Sequence, residues 1–557
     1  MRLPFAPFLI LLLLLGLSTG GLAQAVPDAG SLRQQIEQPR AVPALPPAAA
    51  PRASAAAEPR TDGGPRLTVQ RFRLSGNSLL SDAQLAPALA DFVGRETDFA
   101  GLRRAADAVA AAYRQAGWLA RVTLPEQDVS LGVVTLQVAE ARYAGLRFEG
   151  PAPQRVKREA IAAYFARQQR EGEPLNADRL DRALLLADDL PGVGVAGTLA
   201  PGQAEGETTL VLQTTDEPLL YGDIGMDNTG PRSTGSARVT ASLNLNSPLG
   251  QGDLASLNLM HSRGSDYGRL GLTLPVGRDG LRLGLSGSAM RYKVIAGPGA
   301  ATTAPIQGSS SSIGVDWNQP LLRERLRNLY FTGGLERKRF STEDTQVRSD
   351  YASDNLRLAL SGNRFDDLGG GGANSASVGL QWGHLSRMRA HTLKGSIEPG
   401  YFKLDYAVSR QQNISEAHSL YLSLQGQHAN QVLDSSEKFY IGGAQTVRAY
   451  PASELGGERG QLLTGEWRWR ARPDWLLSAF ADIGRVVQLP ATSSDQRLSL
   501  QLRGHGLGLI WQGPKGMVAR LTWSQRNGSN PKPTLAGTDG DGTRRQHRVW
   551  LTTSLPF

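Results

Sequence analysis

Cysteine is absent from the 557 residues, which excludes disulfides, thiol nucleophiles and thiolate metal sites. Histidine is scarce, and the seven present show neither H-E-x-x-H nor any paired ligand spacing. No Gly-x-x-x-x-Gly-Lys-Ser/Thr loop is available to cradle a nucleotide. No G-x-S-x-G elbow sits between a strand and a helix. An enzyme is therefore not expected, and neither are a cofactor, a metal or catalytic residues. Long apolar runs are lacking as well. The longest, Phe8 to Leu15, is too short to span a bilayer.

That run has another explanation. Arg2 precedes it and Ala23-Gln24-Ala25 follows as a small-residue cleavage site, so residues 1–25 read as a secretory signal peptide. An exported chain without a membrane helix can inhabit a membrane only as a closed β-barrel, the other form that satisfies every backbone group in lipid. The sequence supports this from Leu219 onward, where apolar and polar residues alternate one for one. Val239, Ala241, Leu243 and Leu245 share one face of a strand, with Arg238, Thr240, Ser242 and Asn244 on the other. The rhythm returns at Leu270 to Val276, Leu281 to Leu285, Leu356 to Leu360, Leu420 to Leu424 and Leu498 to Leu502, and these leucines are expected to face lipid around a wet interior. About sixteen such segments fit, an even number as in single-chain bacterial barrels. Val549, Leu551, Thr553, Leu555 and Phe557 share the last lipid-facing row. The fold class expected is a transmembrane β-barrel of about 16 antiparallel strands behind two small α/β units, in a bacterial outer membrane. The net charge of +9 belongs to a basic lumen or to lipid phosphates rather than to nucleic acid, which an exported chain does not meet.

Ahead of the barrel, Ser31 to Gln38 is compatible with a short helix capped by Ser31, with no apolar stripe wide enough to pack on a core. Residues 41–65 are a Pro- and Ala-rich linker. Residues 66–140 and 141–217 repeat a β-α-α-β-β order. The first unit has a strand at Leu67 to Leu74, helices at Ser81 to Val93 and Phe99 to Ala116 stopped by Gly117, then two more strands. Gly192-Val193-Gly194-Val195-Ala196-Gly197 matches the dinucleotide pattern G-x-G-x-x-G, but it follows a helix and opens a strand, the reverse of what that pattern requires, so it is a turn.

Three stretches carry a family resemblance. Tyr113-Arg114-Gln115-Ala116-Gly117-Trp118, continuing through Leu124-Pro125-Glu126-Gln127-Asp128-Val129 to Gly132, is the first. Leu190-Pro191-Gly192-Val193 with Pro201-Gly202 is the second, and Gly442 to Pro451, containing Val447-Arg448-Ala449-Tyr450, is the third. Together they resemble the transporters of bacterial two-partner secretion, the haemolysin secretion/activation or filamentous-haemagglutinin transporter family. The resemblance implies an N-terminal plug helix at 26–40, two polypeptide-transport-associated (POTRA) domains in the periplasm, and a barrel at 218–557. It also implies a long sixth extracellular loop, with Val447, Arg448 and Tyr450 at its tip, that acts in gating and transport. Ala449 stands where the family has glycine and fits only if its φ is negative.

Parity puts Asp482 in the lumen, with Phe480 and Gly484 beside it in a Phe-x-Asp-x-Gly pattern. A guanidinium folded into a barrel keeps its proton and must meet a carboxylate. Asp482 is the family's partner for Arg448, and Glu466 competes for it. The function implied is a pore that exports an unfolded partner polypeptide, captured by the POTRA domains, from periplasm to cell surface. Partners expected besides the client are outer-membrane lipid and the barrel assembly machinery, which would read the C-terminal strand ending in Phe557. An insertase for other barrels and a small-solute porin are the alternative functions.

Overall fold

The computed structural model describes residues 28–37, 66–296, 306–343, 348–387, 399–490 and 496–557. The expected signal peptide and linker lie outside these.

In the first α/β unit the strands Arg71–Ser75, Val133–Glu140 and Ala120–Thr123 form one sheet in that order, under the helices Asp82–Leu89 and Phe99–Gln115. Ser81 caps the first helix in a reciprocal box with Gln84, and Gly117, at φ +81°, ends the second. The strand expected over Leu67 to Leu74 is broken: Leu67–Thr68 leaves the sheet to pair with Glu96–Thr97. Fully buried Leu85, Val109, Tyr113 and Leu136 fill the space between sheet and helices. The Tyr113 hydroxyl donates to Glu140 at 2.8 Å, and the Ser78 and Leu79 amides donate to the same carboxylate at 2.7 and 2.8 Å. Burial pushes the Glu140 carboxyl up, yet these donors outweigh it and hold the group below its ordinary range.

The second unit repeats the plan, with Arg142–Glu149, Glu207–Asp216 and Val193–Pro201 as its sheet and Arg158–Gln168 and Ala177–Asp188 as its helices. Backbone hydrogen bonds from the Ala177 amide to the Gly117 carbonyl (2.8 Å) and from the Ala141 amide to the Leu119 carbonyl (2.9 Å) splice the two units together. The second unit is bolted to the periplasmic turns of the barrel. Arg323 holds Asp189 through two 2.8 Å contacts, Arg167 meets Asp279 at 3.2 Å, and Arg325 meets Asp181.

Sixteen strands, from Leu220–Asp227 to His547–Pro556, close into one barrel. The last strand pairs antiparallel with the first from Thr552↔Asp227 to Pro556↔Asp223. The Phe557 amide adds a 3.0 Å bond to the Gly222 carbonyl. Leu270, Leu285, Leu422, Leu551 and Phe557 are exposed on the outer wall, as an apolar band facing lipid requires. Aromatic pairs mark both edges of that band: Trp475 with Trp511 near the periplasmic ends and Trp382 with Phe402 near the opposite ends.

One expected row is inverted. Leu500 and Leu502 are buried in the lumen with Ile441, Val447 and Ala449, and it is Leu507 of the same strand that is exposed outside. In Leu498–Gln512 the residues alternating with those leucines, Gln501, Arg503 and His505, point outward. This end of the strand therefore stands clear of the lipid, and its leucines serve an apolar body inside the barrel.

Candidate functional site

That body is the long loop between the strands His418–Ala429 and Arg459–Arg472. It turns inward as a short hairpin, Phe439–Ile441 against Leu455–Gly457. The turn beyond the hairpin uses Gly442 at φ +102° and Gly443 at φ +109°, a conformation that side chains oppose. The Gly443 amide donates to the Tyr450 carbonyl at 3.0 Å and the Tyr450 amide to that of Val447 at 3.1 Å, so the tip closes on itself. Val447, Ala449 and Tyr450 are fully buried. Ala449 has a negative φ, since among the described residues the left-handed non-glycine positions are Ser247, Ser453 and Lys515.

Between these apolar residues Arg448 reaches the barrel wall. Its Nε donates to Asp482 Oδ2 and its Nη2 to Asp482 Oδ1, each at 2.9 Å, and its backbone amide donates to Oδ2 at 3.2 Å. The remaining Nη1 donates to Glu466 at 2.9 Å. The carboxylates that compete for Arg448 in the sequence therefore both bind it, Asp482 as the two-pronged partner. Glu466 also accepts from Arg468 at 2.9 Å, which makes a quartet of two cations and two anions. Asp482 is 1% exposed and its arginine 14%, so water screens little of the attraction. Arg448 Cζ lies over the Phe480 ring, 3.2 Å from its centroid.

Two contacts to the loop tip are absent from the sequence reading. Ser524 Oγ and Trp550 Nε1 each donate to the Arg448 carbonyl at 2.7 Å. Trp550 could have been noticed as a large aromatic on the lumen face of the last strand. Glycines in the wall leave room for the tip: a Cβ on Gly484 would stand 2.8 Å from Val447 Cγ2, and one on Gly504 would stand 2.5 Å from Ala449 Cβ. Gly484→Leu is expected to expel the tip, at about 1–3 kcal/mol of overpacking. Loop residues 444–452 should then become sensitive to protease added to intact cells, and Val447→Ala should restore part of the protection. Unaltered protection in the single variant would contradict this packing.

The N-terminal helix, Ala29–Glu37, also lies in the lumen. Its N-terminal box is formed by Asp28, whose carboxylate accepts from the Ser31 amide at 2.8 Å, with Ser31 at the third helical position rather than at the cap. Although the sequence offers no apolar stripe wide enough to pack on a core, Ala29, Leu32 and Arg33 are buried. Leu32 packs among Met260, Tyr267, Met290 and Phe340. Arg33 pairs with Glu37 at 3.0 Å and Glu336 at 2.9 Å. A lumen that offers polar partners as well as aromatics asks for no wide apolar stripe. The helix rests on Ser435–Glu437 of the inward loop, where buried Glu437 is held by Lys403 at 2.7 Å and Lys338 at 3.0 Å.

Residues 206–510 match the family described as haemolysin secretion/activation protein ShlB/FhaC/HecB. Residues 67–141 match the ShlB-type POTRA domain. The heme/hemopexin transporter protein HuxB of Haemophilus influenzae (strain 86-028NP) is 24% identical over 97% of both chains. The outer membrane transporter CdiB of Escherichia coli O6:K15:H31 is 25% identical over 82% of this chain and 76% of its own. Among solved structures, CdiB from Escherichia coli superposes with a TM-score of 0.68 at 20% identity, over 95% of this chain and 96% of that one. BamA from Haemophilus ducreyi lacking POTRA domains 1–3 superposes with a TM-score of 0.52 at 15% identity, over 88% of this chain and all of that one, a likeness of fold.

Proposed function

Because the chain belongs to the haemolysin secretion/activation family ShlB/FhaC/HecB, we propose a division of labour among its parts in export. The protein is an outer-membrane transporter of two-partner secretion, a pore that passes a partner exoprotein from periplasm to cell surface. It is a secretion channel by family, with its POTRA domains in the periplasm.

Arg448 is the latch of the resting channel, and Asp482 and Glu466 are its keepers. Val447 and Tyr450 are the apolar shoulders that seat the tip, and Phe480 and Gly484 shape the seat. The observation that carries this reading is the two-pronged Arg448–Asp482 pair, whose geometry a loop free in solvent would not need. The helix Ala29–Glu37 is a plug that must leave before a chain can pass. The POTRA domains capture the client, and outer strands such as Arg71–Ser75 and Val193–Pro201 suit an extended segment added as a further strand. The last strand, ending in exposed Phe557, is the signal that the barrel assembly machinery reads. No nucleotide fuels the passage, so folding of the client outside draws it through.

Loss of the gene is expected to remove one large surface or secreted protein and to leave the remaining outer-membrane proteins at their usual levels. Quantitative proteomics of the outer membrane and the medium reads both. A general fall in barrel proteins would point instead to an assembly role.

A further inference from the structure

On the outer wall, away from the latch and the plug, the strands Arg348–Asp366, Gly372–Arg387 and Gly400–Asn413 frame a groove of about 950 Å³. Its floor is a pair of small residues directly opposite one another, Gly362 and Ala376. Leu360, Val378, Val408 and Leu424 stand around them, and all four are exposed on the lipid side. Two residues nearer the periplasm, the same face changes chemistry. There Arg327, Arg364, Asn374 and Arg410 succeed one another across four strands as direct cross-strand neighbours.

Two of these arginines are satisfied within the wall. Arg410 holds Asp366 at 2.8 and 3.0 Å, and Arg327 is paired with Glu324. Arg364 has no ion-pair partner among the described residues, although it faces Arg327 directly. Like charges opposite each other are unfavourable, and an anion between Arg364 and its neighbours would relieve that. The row lies at the turn Asp367–Gly371, on the periplasmic side, since the first barrel strand starts at Leu220 immediately after the periplasmic units. That is the depth of the headgroups of the inner leaflet, with the apolar groove directly above it in the acyl region.

We infer that this groove binds an anionic glycerophospholipid of the periplasmic leaflet, with its phosphate on Arg364 beside Arg410 and Asn374 and an acyl chain lying over Gly362 and Ala376. Charge complementarity selects the occupant. An unpaired guanidinium at the interface attracts a phosphate, and the net negative headgroup of phosphatidylglycerol suits it better than phosphatidylethanolamine, whose ammonium opposes Arg364. The volume is within the range of ordinary ligand sites, about 300–1,000 Å³.

The test is native mass spectrometry of the full-length protein released from mixed micelles holding equal phosphatidylglycerol and phosphatidylethanolamine. The wild type should retain phosphatidylglycerol preferentially. Arg364→Gln should lower that preference about five-fold, the contribution of one basic residue near a membrane surface. Ala376→Leu, which fills the floor without altering charge, should lower retention of both lipids. The heat-modifiable mobility of each variant verifies that the barrel is folded, and a photo-crosslinking residue at Val378 provides a second reading in cells. Crosslinks to lipid would support the site. Crosslinks to a protein, equal retention of the two lipids by the wild type, or unchanged preference in folded Arg364→Gln would each overturn it. Secretion of the client is a separate readout, so this inference and the export reading stand or fall independently.

Discussion

Arg448→Ala is expected to reduce secretion of the partner protein to background while the barrel remains inserted and heat-modifiable. The substitution removes every partner that Asp482 has on the loop side chain and one of the two cations on Glu466. Breaking a buried pair by deleting one member costs about 3–5 kcal/mol, because the other charge is left without compensation. A loss of that size is borne by the loop, whose tip is seated by this pair and a small apolar cluster, and not by the ladder of sixteen strands. Arg448→Lys should restore little, since an ammonium cannot reproduce the two parallel bonds to Asp482. Asp482→Asn should resemble Arg448→Ala more closely than Glu466→Gln does, because Glu466 contributes one bond to the latch and Asp482 contributes the fork. Immunoblots of partner protein in the medium, set against barrel levels in the membrane, read the effect. Secretion of Arg448→Ala at the wild-type level would remove the arginine from the mechanism.

Deleting residues 26–65 is expected to raise single-channel conductance in planar bilayers severalfold. An α-helix with its side chains is about 10–12 Å across, and a barrel of this strand number holds an aqueous interior when nothing fills it. The helix Ala29–Glu37 is held in that interior by Leu32 in a small apolar cluster and by the ion pairs of Arg33, so a charge reversal at Arg33 should act in the same direction. Arg33→Glu would set three carboxylates together where Arg33 now joins Glu37 to Glu336, and the helix should leave. Because the helix rests on Ser435–Glu437 of the inward loop, the deletion also separates the plug from the latch. Conductance that rises while the loop stays protease-resistant assigns resting closure to the helix. Conductance unchanged in both variants would remove the plug from the account.

Several particulars mark how far the chain could be read without its structure. Alternation identifies a barrel wall because side chains on a strand change face at every residue and a lipid-facing wall needs one face apolar throughout. The same rule assigns Asp482 to the lumen, where its carboxylate lies. It fails at Leu498 to Leu502. Period alone tells which residues share a face but not which medium that face meets, and here the strand has risen past the lipid while the loop tip supplies an apolar surface inside. It is silent on Ser524 and Trp550, which touch a carbonyl far away in the chain.

Local order along the chain was enough for the class of wall, the paired α/β units ahead of it and the family, because turns, caps and two-residue periodicity are written within a few neighbours. The sharing of Arg448 between two carboxylates, the burial of Leu32 and Arg33 of a polar helix against lumen side chains and the inversion of one leucine row depended on barrel closure. Closure brings residues from distant strands within 3 Å of one another, and only then does burial determine which charges must be paired and which leucines have water at their backs.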